Sequence, residues 1–334
     1  MKRGWTTKRI GDVCEVVNGG TPRTSVATYW GGEHLWITPA EMGKRESPYV
    51  DNTERKLTDD GLRESSARML PPYSVILSSR APIGHLVINT RPMSTNQGCK
   101  SLIPDSTIEH KFLYYYLSSI VELLDALGTG ATFRELSGGK LREVSVPIAP
   151  LSEQRRIVGV LDEAFAGLAT AQANTEKNVQ NARALFESHL HSVFTQRGEG
   201  WVTRPLADCL ELITYGFTNP MPTTLEGPYM ITAKNVVGGL VDYASARRTS
   251  REAFCTLLTD KSRPEVGDVL LTKDGTLGRV AVVDRTDVCI NQSVALLRPN
   301  GRMNPDFMRL LLSSSSYQKR MIADAGGATI KHIY

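Results

Sequence analysis

From Leu151 onward apolar residues recur every seven positions. Val158, Phe165, Val179, Phe186 and Val193 fall in step with Leu151, Gln172 is the one polar member, and Leu161, Leu168 and Ala182 form a companion row. This period of three and a half predicts a long helix with a coiled-coil seam, because it holds one face toward a partner helix over many turns. Pro147 and Pro150 stop what precedes it, Ser152 is placed to cap its start with Glu153 in the first turn, and Gly198 and Gly200 end it. At about 1.5 Å per residue, about 46 residues make a rod of roughly 70 Å. From Ala169 to Thr175 the seam turns small and polar, which means either weak local packing or close helix approach with Gln172 fixing the register. The chain holds no second segment of this kind. The partner helix is therefore expected from further sequence, from another copy or from another protein.

On both sides of this segment the period changes. Cys14-Glu-Val-Val-Asn alternates before Gly19 and Gly20 stop it, and Ser74–Ser79, Leu86–Ile88, Asp268–Lys273 and Val280–Val283 are short apolar runs between turn formers. These predict strands. Phe112–Leu127 and the stretch from Phe307 predict helices, since apolar residues return at three- and four-residue spacing.

The two flanks are copies of one pattern about 195 residues apart. Trp5, Thr7, Lys8, Ile10, Asp12, Glu15 and Gly20 align with Trp201, Thr203, Arg204, Leu206, Asp208, Glu211 and Gly216. Ile37-Thr38 aligns with Ile231-Thr232, Ser74–Gly84 with Asp268–Gly278, Asn96-Gln97 with Asn291-Gln292, Phe112-Leu113 with Phe307-Met308, and Gly130–Leu136 with Gly327–Ile333. The blocks keep their order while the loops between them differ. The expected fold is therefore mixed α/β (α+β), with two tandem domains at 1–149 and 198–334 joined by a coiled-coil-forming helix at 150–197.

Composition narrows the function. A length of 334 residues suffices for two cores, and the net charge of +4 permits nucleic-acid binding without demanding it, so a grip on DNA would be shared with a partner. No apolar run is long enough to span a bilayer and no signal peptide follows Met1, which points to a cytoplasmic protein with no membrane partner. The five cysteines and six histidines lack metal-ligand or disulfide spacing, and the cysteines read as small, mostly buried hydrophobes. Lys140 is followed by Leu141, so Gly130–Lys140 is no phosphate loop, and Asn219-Pro-Met-Pro has no glycine-rich cofactor loop beside it. Asp105 and Glu109-His-Lys111 carry nuclease residue types too close together, and read as a solvated loop. Neither a catalytic set nor a metal site is expected.

What recurs is amide-rich and sits on loops. Asn96-Gln97 and Asn291-Gln292 precede apolar strands; such amides read adenine edges or tie loops together. The divergent segments Thr21–Tyr29, Met42–Arg68 and Phe217–Arg251 are the candidates for specificity and carry Arg23, Lys44, Arg45, Lys234, Asn235, Arg247 and Arg248, while Arg80, Lys273 and Arg279 flank the turns between paired strands. Phosphate contacts are expected to outnumber base contacts among them.

Gly-Asp-Val-Cys-Glu-Val-Val-Asn-Gly-Gly-Thr-Pro-Arg at 11–23, Ser-Ser-Arg-Ala-Pro-Ile-Gly at 78–84, Thr-Asn-Gln-Gly at 95–98 and Val-Pro-Ile-Ala-Pro-Leu-Ser-Glu-Gln-Arg-Arg-Ile-Val at 146–158 resemble the specificity subunits of type I restriction-modification systems. The resemblance covers the whole chain. It implies two target recognition domains that each read half of a split double-stranded DNA sequence. It also implies two long antiparallel helices that dock methyltransferase subunits, with restriction and translocase subunits joining for cleavage. S-adenosylmethionine, ATP and Mg would then sit on those partners, and this chain would bind no cofactor. Where the first repeat continues into its helix, the second stops at Tyr334, so a truncated subunit is expected, its seam at Val158, Phe165 and Phe186 left open and prone to self-association. The alternatives from other classes are a standalone DNA methyltransferase and a protein-binding adaptor.

Overall fold

The computed structural model describes residues 4–130, 134–196, 198–325 and 333. The chain forms two compact units, Met1–Gln172 and Ala173–Tyr334, divided inside the 45-residue helix Leu151–Thr195 that joins them.

Each unit contains the same pair of sheets. In the first, antiparallel strands run in the order Cys14–Asn18, Cys99–Pro104, Val75–Ser79, Ile83–Asn89, with Tyr49–Val50 added parallel at the edge. In the second, the order is Leu210–Tyr215, Val294–Pro299, Val269–Thr272, Val280–Val282. Beside them lie three-stranded sheets, Arg55–Leu57, Trp30–Ile37, Ser94–Thr95 in the first unit and Arg247–Arg248, Thr224–Ile231, Val288–Ile290 in the second. Each of these combines one antiparallel and one parallel pairing.

The continuous apolar runs follow from burial on both faces. Successive strand side chains point to opposite sides. Val75 and Leu77 pack with Phe112 and Leu113 of the helix His110–Ser119, whereas Ile76 between them packs with Leu35 and Ile37 of the other sheet. The second unit repeats this, with Val269 and Leu271 against Met308 and Leu312 and Leu270 against Ile231. A polar residue on either face of these strands would be buried.

The structure shifts the repeat by one residue at its start. Cys14 pairs with Pro104 and Leu210 with Pro299, but beyond a bulge between Leu210 and Leu212 it is Ile213, paired with Leu297, that matches Val16, paired with Leu102. Gly216 therefore corresponds to Gly19 rather than to Gly20 as the linear alignment had it. The backbone confirms the register, since Gly19 N–H donates to Cys99 C=O at 3.1 Å and Gly216 N–H to Val294 C=O at 3.3 Å. Both glycines are required by close approach, because a Cβ at Gly19 would lie 1.9 Å from the Asn96 carbonyl oxygen and one at Gly216 1.8 Å from that of Ile290.

Three further expectations are corrected. The long helix begins at Leu151, and the Pro150 carbonyl accepts from Glu153 N–H at 2.9 Å and Gln154 N–H at 3.0 Å, so Ser152 lies inside the first turn and does not cap it. Pro147 stops nothing; it lies within the strand Ser145–Ile148 and pairs with Thr7 in a two-stranded sheet, where a missing N–H is tolerated. The helix expected over 112–127 is two, His110–Ser119 and Val121–Leu127, broken at Ile120. Of the last repeat block, 131–133 and 327–332 lie outside the described residues. Its final position is the same in both units, with Leu136 N–H donating to Ser79 C=O at 2.9 Å and Ile333 N–H to Lys273 C=O at 3.0 Å.

Two glycine substitutions should act with opposite sign. Gly216→Ala is expected to destabilise the second unit by more than about 2 kcal/mol, since backbone must move to admit the methyl group. Gly167→Ala, at an exposed helical site with nothing within 4 Å, is expected to stabilise the chain by up to about 1 kcal/mol. Urea unfolding of each variant checks both; a neutral Gly216→Ala would contradict the close approach.

Candidate nucleic-acid interface and the helix seam

The two recurring amides have the same geometry in both units. Asn96 N–H donates to Ile37 C=O at 2.8 Å, and its Oδ1 accepts from Gly98 N–H at 2.8 Å. Asn291 N–H donates to Ile231 C=O at 3.0 Å, and its Oδ1 accepts from Ser293 N–H at 3.1 Å. Each thus folds its loop back in an Asx turn. Asn96 is committed further, since its Nδ2 donates to Thr21 Oγ1 at 3.0 Å. Gln97 and Gln292, the next residues, are exposed, so each loop presents one glutamine outward from a frame that its asparagine fixes.

The cationic candidates divide by what already holds them. Arg45 is half-buried and donates to Glu41 Oε1 at 2.7 Å and to Asn52 C=O at 2.6 Å. Asn235 is buried, with Oδ1 accepting from Thr232 N–H at 2.9 Å and Nδ2 donating to Ser245 Oγ at 3.1 Å. Lys273 pairs with Asp274 at 2.8 Å, Lys44 with Glu54 at 3.4 Å, and Arg279 donates to Val236 C=O at 3.3 Å. Arg80 packs against Gly98 at the base of the amide loop. Arg23, Lys234 and Arg247 are exposed and carry no side-chain ion pair among the described residues. In the second unit Lys234 and Arg247 line one cavity of about 690 Å³, together with Phe217, Met221, Met230 and Asn291.

The loop expected at Asp105 is present and exposed between the strand Cys99–Pro104 and the helix His110–Ser119, whereas Glu109, His110 and Lys111 are half-buried at the start of that helix. Asp105 accepts from Thr107 N–H at 2.7 Å to close a turn, and Glu109 caps the helix His110–Ser119 by accepting from Phe112 N–H at 2.6 Å. Burial raises the Glu109 carboxyl, but His110 and the backbone donors outweigh it and hold it below the usual range. Among the described residues no group of three His, Cys, Asp or Glu side chains is placed to hold a metal. Cys14, Cys99 and Cys289 are buried, with thiols pushed up by burial to about 12, so they are inert; Cys255 is exposed.

The helix has an anchored start and an open middle. Gln154 is fully buried, its Oε1 accepting from Glu109 N–H at 2.8 Å and its Nε2 donating to the carbonyls of Thr107 at 2.9 Å and Ala149 at 2.8 Å. Two turns on, Asp162 accepts from Lys111 Nζ at 2.8 Å and Tyr115 Oη at 2.5 Å. Burial raises the Asp162 carboxyl, but these two donors outweigh it and hold it low, while burial and then the Asp162 bond push the Tyr115 phenol up. Val158 packs on the first unit's core, so that seam position is not vacant as the heptads alone suggested, while Phe165 stacks on Tyr115 at 5.6 Å and stays more than half exposed. Leu151 and Val193 are partly exposed, and Leu161 is half-buried. From Glu163 to His189 every residue is exposed, including Leu168, Gln172, Val179, Ala182 and Phe186. The anchoring roles of Gln154, Lys111, Tyr115 and Asp162 were not identified from sequence; Gln154 stands among the polar residues Ser152, Glu153, Arg155 and Arg156, so nothing in the pattern marks it as buried.

Two mixed α/β domains of one design joined by a long helix define a duplicated-domain protein with loop-borne variation. The chain belongs to the family of type I restriction modification DNA specificity domains, which residues 2–180 match. It is 38% identical over 163 residues to the type I restriction enzyme MjaIX specificity subunit of Methanocaldococcus jannaschii, covering 48% of this chain and 38% of that protein. With the EcoBI specificity subunit of Escherichia coli it shares 23% over 280 residues, 75% of this chain and 58% of that one. The chain thus spans less than two thirds of the length of these relatives. Its fold resembles a chain from a solved type I R-M system, described for its complex assembly and conformational transition (TM-score 0.73, 18% identity, 100% of this chain and 84% of that one). It also resembles the HsdS subunit of Thermoanaerobacter tengcongensis (TM-score 0.64, 16% identity, 100% and 85%).

Gln154→Leu should leave three backbone groups unpaired at about 1 kcal/mol or more each. The expected result is a loss of about 3 kcal/mol and faster amide hydrogen exchange over 151–162. Unchanged protection there would show that the amide does not anchor the helix.

Proposed function

We propose that this chain is the DNA sequence-recognition subunit of a type I restriction-modification complex, each domain reading one half of a bipartite target in double-stranded DNA. The observation that carries this reading is a duplicated frame with unshared loops: strand order, Asx turns and closing hydrogen bonds recur, while Thr21–Tyr29, Met42–Arg68 and Phe217–Arg251 differ. Two readers that share a scaffold and differ in loops are suited to two different half-sites.

The exposed seam of the helix is the surface for methyltransferase subunits, and restriction and translocase subunits join through the complex. S-adenosylmethionine, ATP and Mg belong to those partners, and the chain itself is non-catalytic. No described helix is long and apolar enough to cross a membrane, and the complex works in the cytoplasm. The contact set is headed by Gln97, Gln292, Arg23, Lys234 and Arg247, with Thr21, Arg80, Lys273 and Arg279 behind them; Asn96, Asn291, Asn235 and Arg45 shape the loops.

Coexpression with the cognate methyltransferase subunit, followed by mapping of methylated adenines, tests this function. A split motif with two constant halves and a fixed gap is expected. Methylation without a motif, or binding of S-adenosylmethionine by the purified chain alone, would contradict it.

A further inference from the structure

The two domains differ sharply at one matched position. In the first, Arg55 pairs with Trp36 across the small sheet, and in the second Arg247 pairs with Met230, so the two arginines are register equivalents. The Arg55 guanidinium lies 3.6 Å from the centre of the Trp30 ring. Trp36 is buried and fills the space beside it, its Nε1–H donating to Gly20 C=O at 2.9 Å. In the second domain Gly20 is replaced by Phe217, as matching bonds to Thr95 C=O at 2.8 Å and Ile290 C=O at 3.0 Å show. Met230 stands where the first domain has the Trp36 indole. The result is the cavity of about 690 Å³, whose wall includes Phe217, Met221 and Met230. The rim also gains a cation, because Lys234 stands where the first domain has Ala40, each in a short helical turn that follows a threonine.

We propose that Arg247 is a specificity-determining residue that reads a guanine in the half-site of the second domain, an assignment that rests on the function proposed above. A guanidinium fork donates to guanine O6 and N7 together, and those bonds discriminate best where water is kept from competing. Arg247 is exposed, has no ion-pair partner among the described residues, and lines a concave site with a partly apolar wall. Lys234, a point charge on the same rim, supplies the phosphate contact that positions the duplex. Arg55, stacked on Trp30, has no such role in the first domain.

The test uses the full chain in complex with its methyltransferase subunit, with methylated motifs mapped and binding measured on a matched and an unrelated duplex. Arg247→Ala should relax one guanine of one half of the motif to any base and leave the other half intact. Affinity for the matched duplex should fall roughly 10- to 100-fold, with little change on the unrelated one. Arg247→Lys keeps charge and solubility but not the fork, and should relax the same position; Arg55→Ala should leave that half of the motif unchanged. An unaltered motif with either Arg247 variant overturns the assignment, as does an equal loss on both duplexes, the mark of a phosphate contact. A wild-type complex that yields no motif overturns the underlying function and this assignment with it, whereas a wild-type motif that survives Arg247→Ala removes the assignment alone.

Discussion

The buried amide of Gln154 is the constraint on which the organisation of this chain rests. Its three hydrogen bonds join the first turn of the long helix to the end of the preceding strand and to the turn before the helix His110–Ser119. A buried amide so fully paired permits one direction of departure, because any rotation of the helix would strand polar groups in an apolar surround. Asp162, held by Lys111 and Tyr115, and Phe165 on Tyr115 extend the same contact for about three further turns. The helix is therefore continuous with the first domain's core at its start and exposed from Glu163 to His189, before Leu190 and Phe194 are buried again near its end.

Within each domain the division of labour is equally physical. Central strands buried on both faces hold the frame, and glycines at positions 19 and 216 let two backbone segments touch where the divergent loops begin. Asn96 and Asn291 use their side chains on their own loops, so the next residue of each faces outward. With the frame this tightly determined, most of the variation falls in loops, and some reaches buried strand positions. Trp36 and Met230 are matched strand positions of this kind, a buried indole in the first domain and a methionine on the wall of a cavity in the second.

Much of the fold was legible in the chain because burial leaves periodic traces. The heptads gave the helix, the apolar runs gave the central strands, and the recurrence of Ser74–Gly84 at Asp268–Gly278 gave the duplication. What stayed hidden depends on contacts distant in sequence. The bulge between Leu210 and Leu212 moved the glycine match by one residue, and no linear alignment of identical letters registers that shift. Arg45 and Asn235 are tied up nearer by, through Glu41 one helical turn before Arg45 and Ser245 ten residues after Asn235, but the side-chain geometry that closes these pairs is not written in the spacing. Val158 looks like vacant seam until the first domain's core packs against it.

The central claim is that each domain reads its own half-site independently on a shared frame. It is tested most directly by replacing residues 21–149 with the matching segment of a relative of different specificity, and mapping methylated adenines for the hybrid in complex with its methyltransferase. The account predicts that one half of the motif changes, while the other half stays as in the parent. A change in both halves, or in neither, would contradict it.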